Sequence, residues 1–405
     1  MQIRIIIQRI FTKFLMLGYI CQSSSKSTFT LSQIDLKEDN LLIWDKLLPD
    51  NHHLKSDKIN FYKENTSVES LTFIVWDKKE QIAAIYLQKS KFPLNQIKIS
   101  DLRISLLELF TKCDENLSCS LDVLVCGNIF KSNQEGFYIK EGYCRVQIFE
   151  ALVEFLEQNE KTKNFAGLLV KECDAPFDIS KKLIPFSQDI SMQMCIDPSW
   201  KNMGDYASVL DKKYRSRYKK IIAKFDSLTF TELNIEDIKL HQKRIYELYL
   251  EVLQNQTVKL GEIKPTYFLE LKKLLGDNLQ VFGVFKYEKL IAFSTHIFSG
   301  NGQMEIHYIG IDYTENENYN LYFNILYFGL SEAINKHQNK IELGRTAEVA
   351  KSSMGAKPVK KLNYLYFKKH IYKLSFKLWI EKLIGSNNAE QEFRNPFSSA
   401  TKQSV

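Results

Sequence analysis

The sequence predicts an α/β protein with mixed sheets, laid out as two comparable halves. Three observations predict it. Short apolar runs of strand length alternate with longer stretches of helical period along most of the chain. With 16 glycines and 8 prolines in 405 residues, breakers are sparse and regular elements are favoured over long irregular segments. The second half then repeats the strand and helix alternation of the first in a definite order.

Bulk properties set the bounds. A chain of 405 residues accommodates two or three domains, and 44% hydrophobic with 25% charged residues is the balance of a globular protein with sizeable cores. The net charge of +7 comes from 55 basic and 48 acidic residues interspersed along the chain. It permits an anionic ligand such as a nucleotide or tRNA without demanding one, and a solvated surface accounts for it as well. The seven cysteines (21, 113, 119, 126, 144, 173 and 195) are odd in number and irregularly spaced, against a disulfide framework. No C-x-x-C or H-E-x-x-H is present, so no metal site is expected, and the thiols read as reduced and buried in a cytoplasmic protein.

Residues 1–26 open with "MQIRIIIQRIFTKFLMLGYIC", apolar at Ile3, Ile7, Ile10, Phe14 and Leu17 and basic between them. This is an amphipathic helix too interrupted by charge to span a bilayer, fit to pack on its own domain or to lie on a membrane surface. The first half, 27–197, begins with the hairpin pattern of "SLTFIVWDKKEQIAAIYLQ" (70–88). A buried strand "SCSLDVLVCGNIF" (118–130), a helix "YCRVQIFEALVEFLEQNEKTKNF" and a strand "AGLLVKEC" (166–173) follow. The break between halves is expected near Asp197-Pro198.

In the second half, "MGDYASVLDKKYRSRYKKIIAKFDSL" and "EDIKLHQKRIYELYLEVLQNQ" read as two helices. "LQVFGVFKYEKLIAFSTHIFSGNGQMEIHYIGID" reads as three strands with turns at Lys286–Lys289 and Ser299–Gln303. Then come a loop "DYTENENYN", a helix "NYNLYFNILYFGLSEAINKHQ", a strand "KIELGR", a short helix "TAEVAKSSMG" and a last strand "VKKLNYLYFK". Residues 371–385 are expected to form a basic amphipathic helix, and the polar composition of 386–405 predicts a disordered tail.

Two stretches can carry chemistry. In "ELGRTAEVAKSSMGAKP" (342–358), Gly344 and Arg345 follow a strand, and Lys351 and Gly355 come further on. A flexible backbone, a guanidinium and a point charge suit close approach to a phosphate or an oxyanion. A helix stop at Gly355 and two solvated basic residues explain the same letters. In "QMEIHYIGID", strand alternation puts Gln303, Glu305 and His307 on one face and Met304, Ile306 and Tyr308 on the other. Either Glu305 or His307 qualifies as the base that takes an amine's proton, and a lysine partner across the hairpin is the plainer alternative for Glu305. His296 reads as a structural histidine.

The order of elements in the second half resembles the GNAT superfamily of N-acyltransferases. The doubling, with the Gly344-Arg345, Lys351 and Gly355 pattern, resembles the Fem-type aminoacyl transferases and a related bacterial acetyltransferase family with tandem modules. The likeness is firmest over about 200–370; the first half contributes "VCGNIF…GFY" (125–138). It implies two tandem GNAT-like modules packed side by side, with 27–197 the first and 198–370 the second, catalytic one. It further implies acyl-CoA, acetyl-CoA in the first instance, as donor and a small-molecule or peptide amine as acceptor. Gly344, Arg345, Lys351 and Gly355 would serve the donor, and Glu305, His307 and Lys351 the chemistry. "KKYRSRYKKIIAKF" (212–225) matches an arginine-bearing helix start near the substrate site of the aminoacyl-transferring relatives, which assigns Arg215 and Arg217 to substrate.

One departure is clear. Where acetyl-CoA-binding members carry a glycine-rich loop, this chain has Asp312, Glu315 and Glu317, and acid beside a pyrophosphate is repulsive. Two rival readings follow: an aminoacyl-tRNA-dependent transferase with tRNA as partner, and a non-catalytic module that keeps the fold to bind a peptide or envelope precursor at a membrane surface; the terminal amphipathic helices would allow peripheral contact at the inner membrane face.

Overall fold

The computed structural model describes residues 29–93, 120–159, 162, 164–178, 180, 182–256, 259–369 and 393–397. The amphipathic segments expected at 1–26 and 371–385 lie outside them. The first half runs β1 (Thr30–Ile34), α1 (Asp39–Leu47), α2 (Ser56–Asn65), β2 (Glu69–Asp77), β3 (Glu80–Pro93), β4 (Ser120–Cys126), β5 (Phe137–Ile139), α3 (Arg145–Gln158), β6 (Gly167–Cys173) and β7 (Ile184–Cys195). The second begins α4 (Met203–Val209), α5 (Lys212–Ala223), β8 (Thr229–Glu232), α6 (Ile235–Leu240), α7 (Gln242–Gln254) and α8 (Tyr267–Leu275). It continues β9 (Leu279–Lys286), β10 (Lys289–Ser299), β11 (Gln303–Ile311), α9 (Tyr313–Tyr319), α10 (Leu321–Asn335), β12 (Lys340–Glu342), α11 (Glu348–Ser352) and β13 (Lys357–Phe367).

The strands form one mixed sheet in the order β1-β2-β3-β4-β6-β13-β7-β12-β11-β10-β9-β8, with β5 added against β3. Two discrete sheets side by side are therefore not what the chain builds. The reason lies in β13, which inserts between β6 and β7 and pairs antiparallel with both. Its eleven residues satisfy two strand edges that would otherwise stay open, and Tyr364 and Tyr366 join the first-half core around Phe149, Leu152 and Leu168. Beyond β7 the sheet passes into the second half through β12, which pairs with β7 on one side and β11 on the other. There α4 and α10 cover one face around Tyr206, Tyr327 and Leu330, and α7 and α8 the other around Leu248, Tyr267 and Phe268.

Local chemistry explains where the elements differ from the sequence reading. The helix expected over 203–228 is two. Asn202 starts α4 through a capping box with Asp205, and the extended Leu210 then ends it and bridges Phe397. The next expected helix also divides, at His241, into α6 and α7. The acidic stretch expected as a loop forms α9, capped by Asp312, whose carboxylate accepts from the Thr314 amide at 3.1 Å. The tail expected to be disordered from Ser386 includes residues 393–397, and there Phe397 is 4% exposed in the second-half core. Among the described residues no disulfide forms; Cys126 and Cys173 are buried as expected, whereas Cys144 is half-buried and Cys195 is exposed. Among the described residues no helix is long and apolar enough to cross a membrane, and no cluster of His, Cys, Asp and Glu could hold a metal.

Candidate active site

The site grows from a fork in the sheet. β10 pairs with β11 along its length, but β12 meets β11 only where Lys340–Glu342 lie beside Gln303–Glu305. The chain after β12 follows β7 instead: the Leu343 amide donates to the Met192 carbonyl at 2.9 Å, and the Met192 amide to the Gly344 carbonyl at 3.1 Å. From Ile306 to Ile311, therefore, the β11 edge on the β12 side has no strand partner among the described residues.

At the apex β11 is bulged. Thr295 pairs with Tyr308 and His296 with Ile306, so His307 is the extra residue. The Thr295 hydroxyl repairs the ladder, accepting from the Tyr308 amide at 2.8 Å and donating to the Tyr308 carbonyl at 3.1 Å. Glu305 and His307 share a face as alternation predicts. The bulge adds Tyr308, which the simple period put opposite, so that it packs with Tyr249, Tyr267 and Phe268. Met304 and Ile306 point the other way, into the core with Tyr206 and Tyr327.

Glu305 Oε1 lies 3.0 Å from His307 Nδ1, and Oε2 accepts from the ammonium of Lys131. Tyr267 Oη lies 2.8 Å from His307 Nε2. Burial pushes the Glu305 carboxyl up, but the charge of Lys131 and the His307 hydrogen bond outweigh it and hold it at about 2. Burial, then Lys131, drives His307 down to about 4 against the pull of Glu305. Near neutral pH the pair is thus a carboxylate and a neutral imidazole. The network assigns the tautomer: Nδ1–H donates to Glu305, and Nε2 accepts from the tyrosine hydroxyl.

Lys131 is the residue that sequence reasoning missed. It sits on the loop after β4, in the first half, and that loop crosses to the second: Ile129 and Phe130 pack with Tyr267 and Leu248. Lys171 holds the loop, its buried ammonium donating to the Asn128 and Lys131 carbonyls, each at 2.7 Å. Gly127 has φ +140°, and a Cβ there would lie 2.3 Å from Lys171 Cγ, so only glycine fits. The run "VCGNIFKSN" carries no sign of any of this, because its partner lies 174 residues away.

Gly344, Arg345 and Lys351 do come together. Lys351 is 4% exposed, and its ammonium donates to the Gly344 carbonyl at 3.2 Å and the Arg345 carbonyl at 2.7 Å. Burial lowers it to about 8, with Glu342 and Glu348 opposing. Arg345 is ion-paired with Glu172, a fully buried residue at φ 57°. Burial pushes Glu172 up, but Lys171 at 2.9 Å and Arg345 keep it below its ordinary value. Glu342 joins this group to the fork. It is the strand neighbour of Glu305, accepts from the Gly344 amide at 2.8 Å and Ser191 Oγ at 2.6 Å, and takes Asn133 Nδ2 at 2.5 Å.

The remaining candidates lie elsewhere. Gly355, at φ +107°, is the floor beneath Phe397, whose Cζ would be 2.4 Å from an added Cβ. Arg215 braces the joint between α4 and α5, donating to the Ser208 carbonyl at 2.9 Å and the Leu210 carbonyl at 2.7 Å. Arg217 lies over the Phe323 ring at 4.7 Å. His296 is fully buried, bonded to Ser294 Oγ at 2.8 Å and pushed by burial down to about 3, as a core histidine. Two of the three acids at α9 are ion-paired: Asp312 with Arg244 at 2.8 Å and Lys289 at 2.9 Å, and Glu315 with Lys286 at 2.9 Å.

The sequence matches no family model and no curated protein. Among solved structures it is similar to FemX at 12% identity, covering 85% of this chain and 99% of that one, with a TM-score of 0.43. It is also similar to a tandem GNAT protein from the clavulanic acid biosynthesis pathway at 10% identity, covering 84% and 98%, with a TM-score of 0.44. A third likeness is to the N-myristoyltransferase of Saccharomyces cerevisiae solved with myristoyl-CoA, at 8% identity, covering 85% and 83%, with a TM-score of 0.47. At such identities and TM-scores no residue of those proteins transfers to a position in this chain.

Proposed function

We propose that the chain is an N-acyltransferase that moves an acyl group, acetyl in the simplest case, from acyl-CoA to an amine. The observation that carries this reading is the fork between β11 and β12 with the Glu305–His307 pair at its apex. The unpaired edge from Ile306 to Ile311 offers backbone donors and acceptors to the amides of an extended donor, as any open strand edge does. Glu305 keeps 19% of its side-chain exposure and is ionised, so it attracts and orients a protonated amine. A carboxylate near 2 is a poor proton acceptor while Lys131 occupies it. The acceptor's ammonium displaces Lys131 and hands one proton to the carboxylate; the neutral nitrogen then attacks the acyl carbon, and its second proton goes to the departing sulfur, which leaves as the CoA thiol. Arg345 and Lys351 would steady the anionic donor or the oxyanion after leaving Glu172 and the Gly344 and Arg345 carbonyls.

One observation favours a second reading, a non-catalytic binding module: Glu305, His307, Arg345 and Lys351 all have protein partners already. The test is a thermal-shift panel of acetyl-CoA, longer acyl-CoAs and charged tRNA, in which a ligand at 100 times its dissociation constant adds about 2.7 kcal/mol. Thiol release from the CoA ester that shifts is then followed with a set of amines. Release that vanishes in a folded Glu305→Gln variant supports the transferase. A panel with no CoA ester binding rejects it: a shift with charged tRNA alone favours the aminoacyl-tRNA-dependent reading, and no shift at all favours the module.

A further inference from the structure

We propose that the chain segment 393–397 completes a phosphate-binding cleft whose other wall is formed by α5 and the turn into α11. The cleft, of about 580 Å3, is lined by Arg217, Ala347, Glu348, Val349, Ala350 and Arg394. Arg217 enters from the middle of α5. Its stacking on Phe323 fixes the plane of the guanidinium and leaves the N–H groups at its rim for a ligand. Arg394 enters from the opposite side on a strap fixed at three points. Phe397 is buried against Trp200 and Tyr206, with ring centroids 6.1 and 6.5 Å away, and lies on Gly355 where no larger residue fits. The Pro396 carbonyl accepts from the Asp211 amide at 2.8 Å, and the Arg394 amide donates to Ser352 Oγ at 3.2 Å.

Among the described residues neither guanidinium is ion-paired, and both residues line the cleft. One arginine fork suffices for the two oxygens of a carboxylate. Two forks converging from separate segments suit the tetrahedral set of oxygens on a phosphate. Glu348, on the same wall, opposes an anion and caps the charge the cleft accepts. This cleft does not depend on acyl transfer and would stand if no acyl group moved.

The experiment is calorimetric titration of the full chain with inorganic pyrophosphate and with acetate, at one fixed ionic strength. Pyrophosphate is expected to bind and acetate to bind at least about tenfold more weakly. Arg217→Ala and Arg394→Ala should each weaken pyrophosphate about tenfold or more, and Phe397→Ala, which frees the strap, should do the same. Glu348→Gln should tighten it. Lys212→Ala, an exposed charge on α5 outside the cleft, should leave it unchanged. Arg394 is exposed, so its variant should melt with the parent, and the same samples report this. The proposal is overturned by absence of pyrophosphate binding, by acetate binding equally well, or by an equal loss in Lys212→Ala, which would mean diffuse attraction only.

Discussion

Lys131 sets the protonation of a pair that lies in the other half of the chain. Its ammonium is the main influence holding Glu305 ionised, and it also depresses His307. Replacing it by methionine should let the His307 midpoint climb from about 4 by roughly one unit, read from the imidazole nitrogen shifts in an NMR titration. An unmoved midpoint would mean that burial alone sets it. Asp312 offers a pH prediction with a definite sign. Burial raises its pKa, but Thr314 and Lys289 outweigh this and lower it from 3.8 to about 2. Its stabilisation is therefore complete above the unfolded value of about 4 and fades as pH falls through 2. With Lys289 largely in solvent, about 1–2 kcal/mol remains, and Asp312→Asn should melt lower than the parent at pH 6 but not at pH 2. At this scale the sequence disclosed what alternation can disclose. Glu305 and His307 share a face because strands have a period of two, whereas the partner of Glu305 depends on a loop crossing that no local pattern encodes.

Among elements, the bulge in β11 matters most. One inserted residue turns His307 and Tyr308 to the same side, and a single hydroxyl closes the gap it leaves. Thr295→Val keeps the shape and removes that hydroxyl, leaving the Tyr308 amide without its acceptor. A loss of about 1–3 kcal/mol is expected in urea unfolding. A change below 0.5 kcal/mol would show that water takes the hydroxyl's place. Element types were largely legible: the three-strand meander, α10, β12, α11 and β13 fall where apolar period and turns put them. Boundaries were less so. Leu210 and His241 sit inside unbroken helical period, and what ends each helix is a contact or a cap rather than a breaker residue. Asp312 as a cap was hidden for the opposite reason, since a run of acids and asparagines resembles a loop.

For the molecule as a whole, the sheet is the unit. Among the described residues all five apolar clusters line strands of this one surface next to its helices, and β13 fastens the β6 and β7 edges together. Asn363 marks how closely: its side-chain oxygen, in a residue 2% exposed, accepts from the Glu172 amide at 2.8 Å. Urea unfolding followed at Trp44, in the first half, and at Trp200, in the second, should give coincident midpoints, and truncation after Ala356 should abolish the transition at both. Separate midpoints would show two independently stable bodies. Continuity of the sheet escaped sequence reading because nothing in "VKKLNYLYFK" names its neighbours; strand pairing is a long-range choice. The same connectivity bears on biosynthesis. Since β13 is synthesised about 160 residues after β7, the nascent chain carries a sticky, half-built edge for about ten seconds or more at ordinary ribosome speeds, an interval in which a chaperone's shelter would decide the yield.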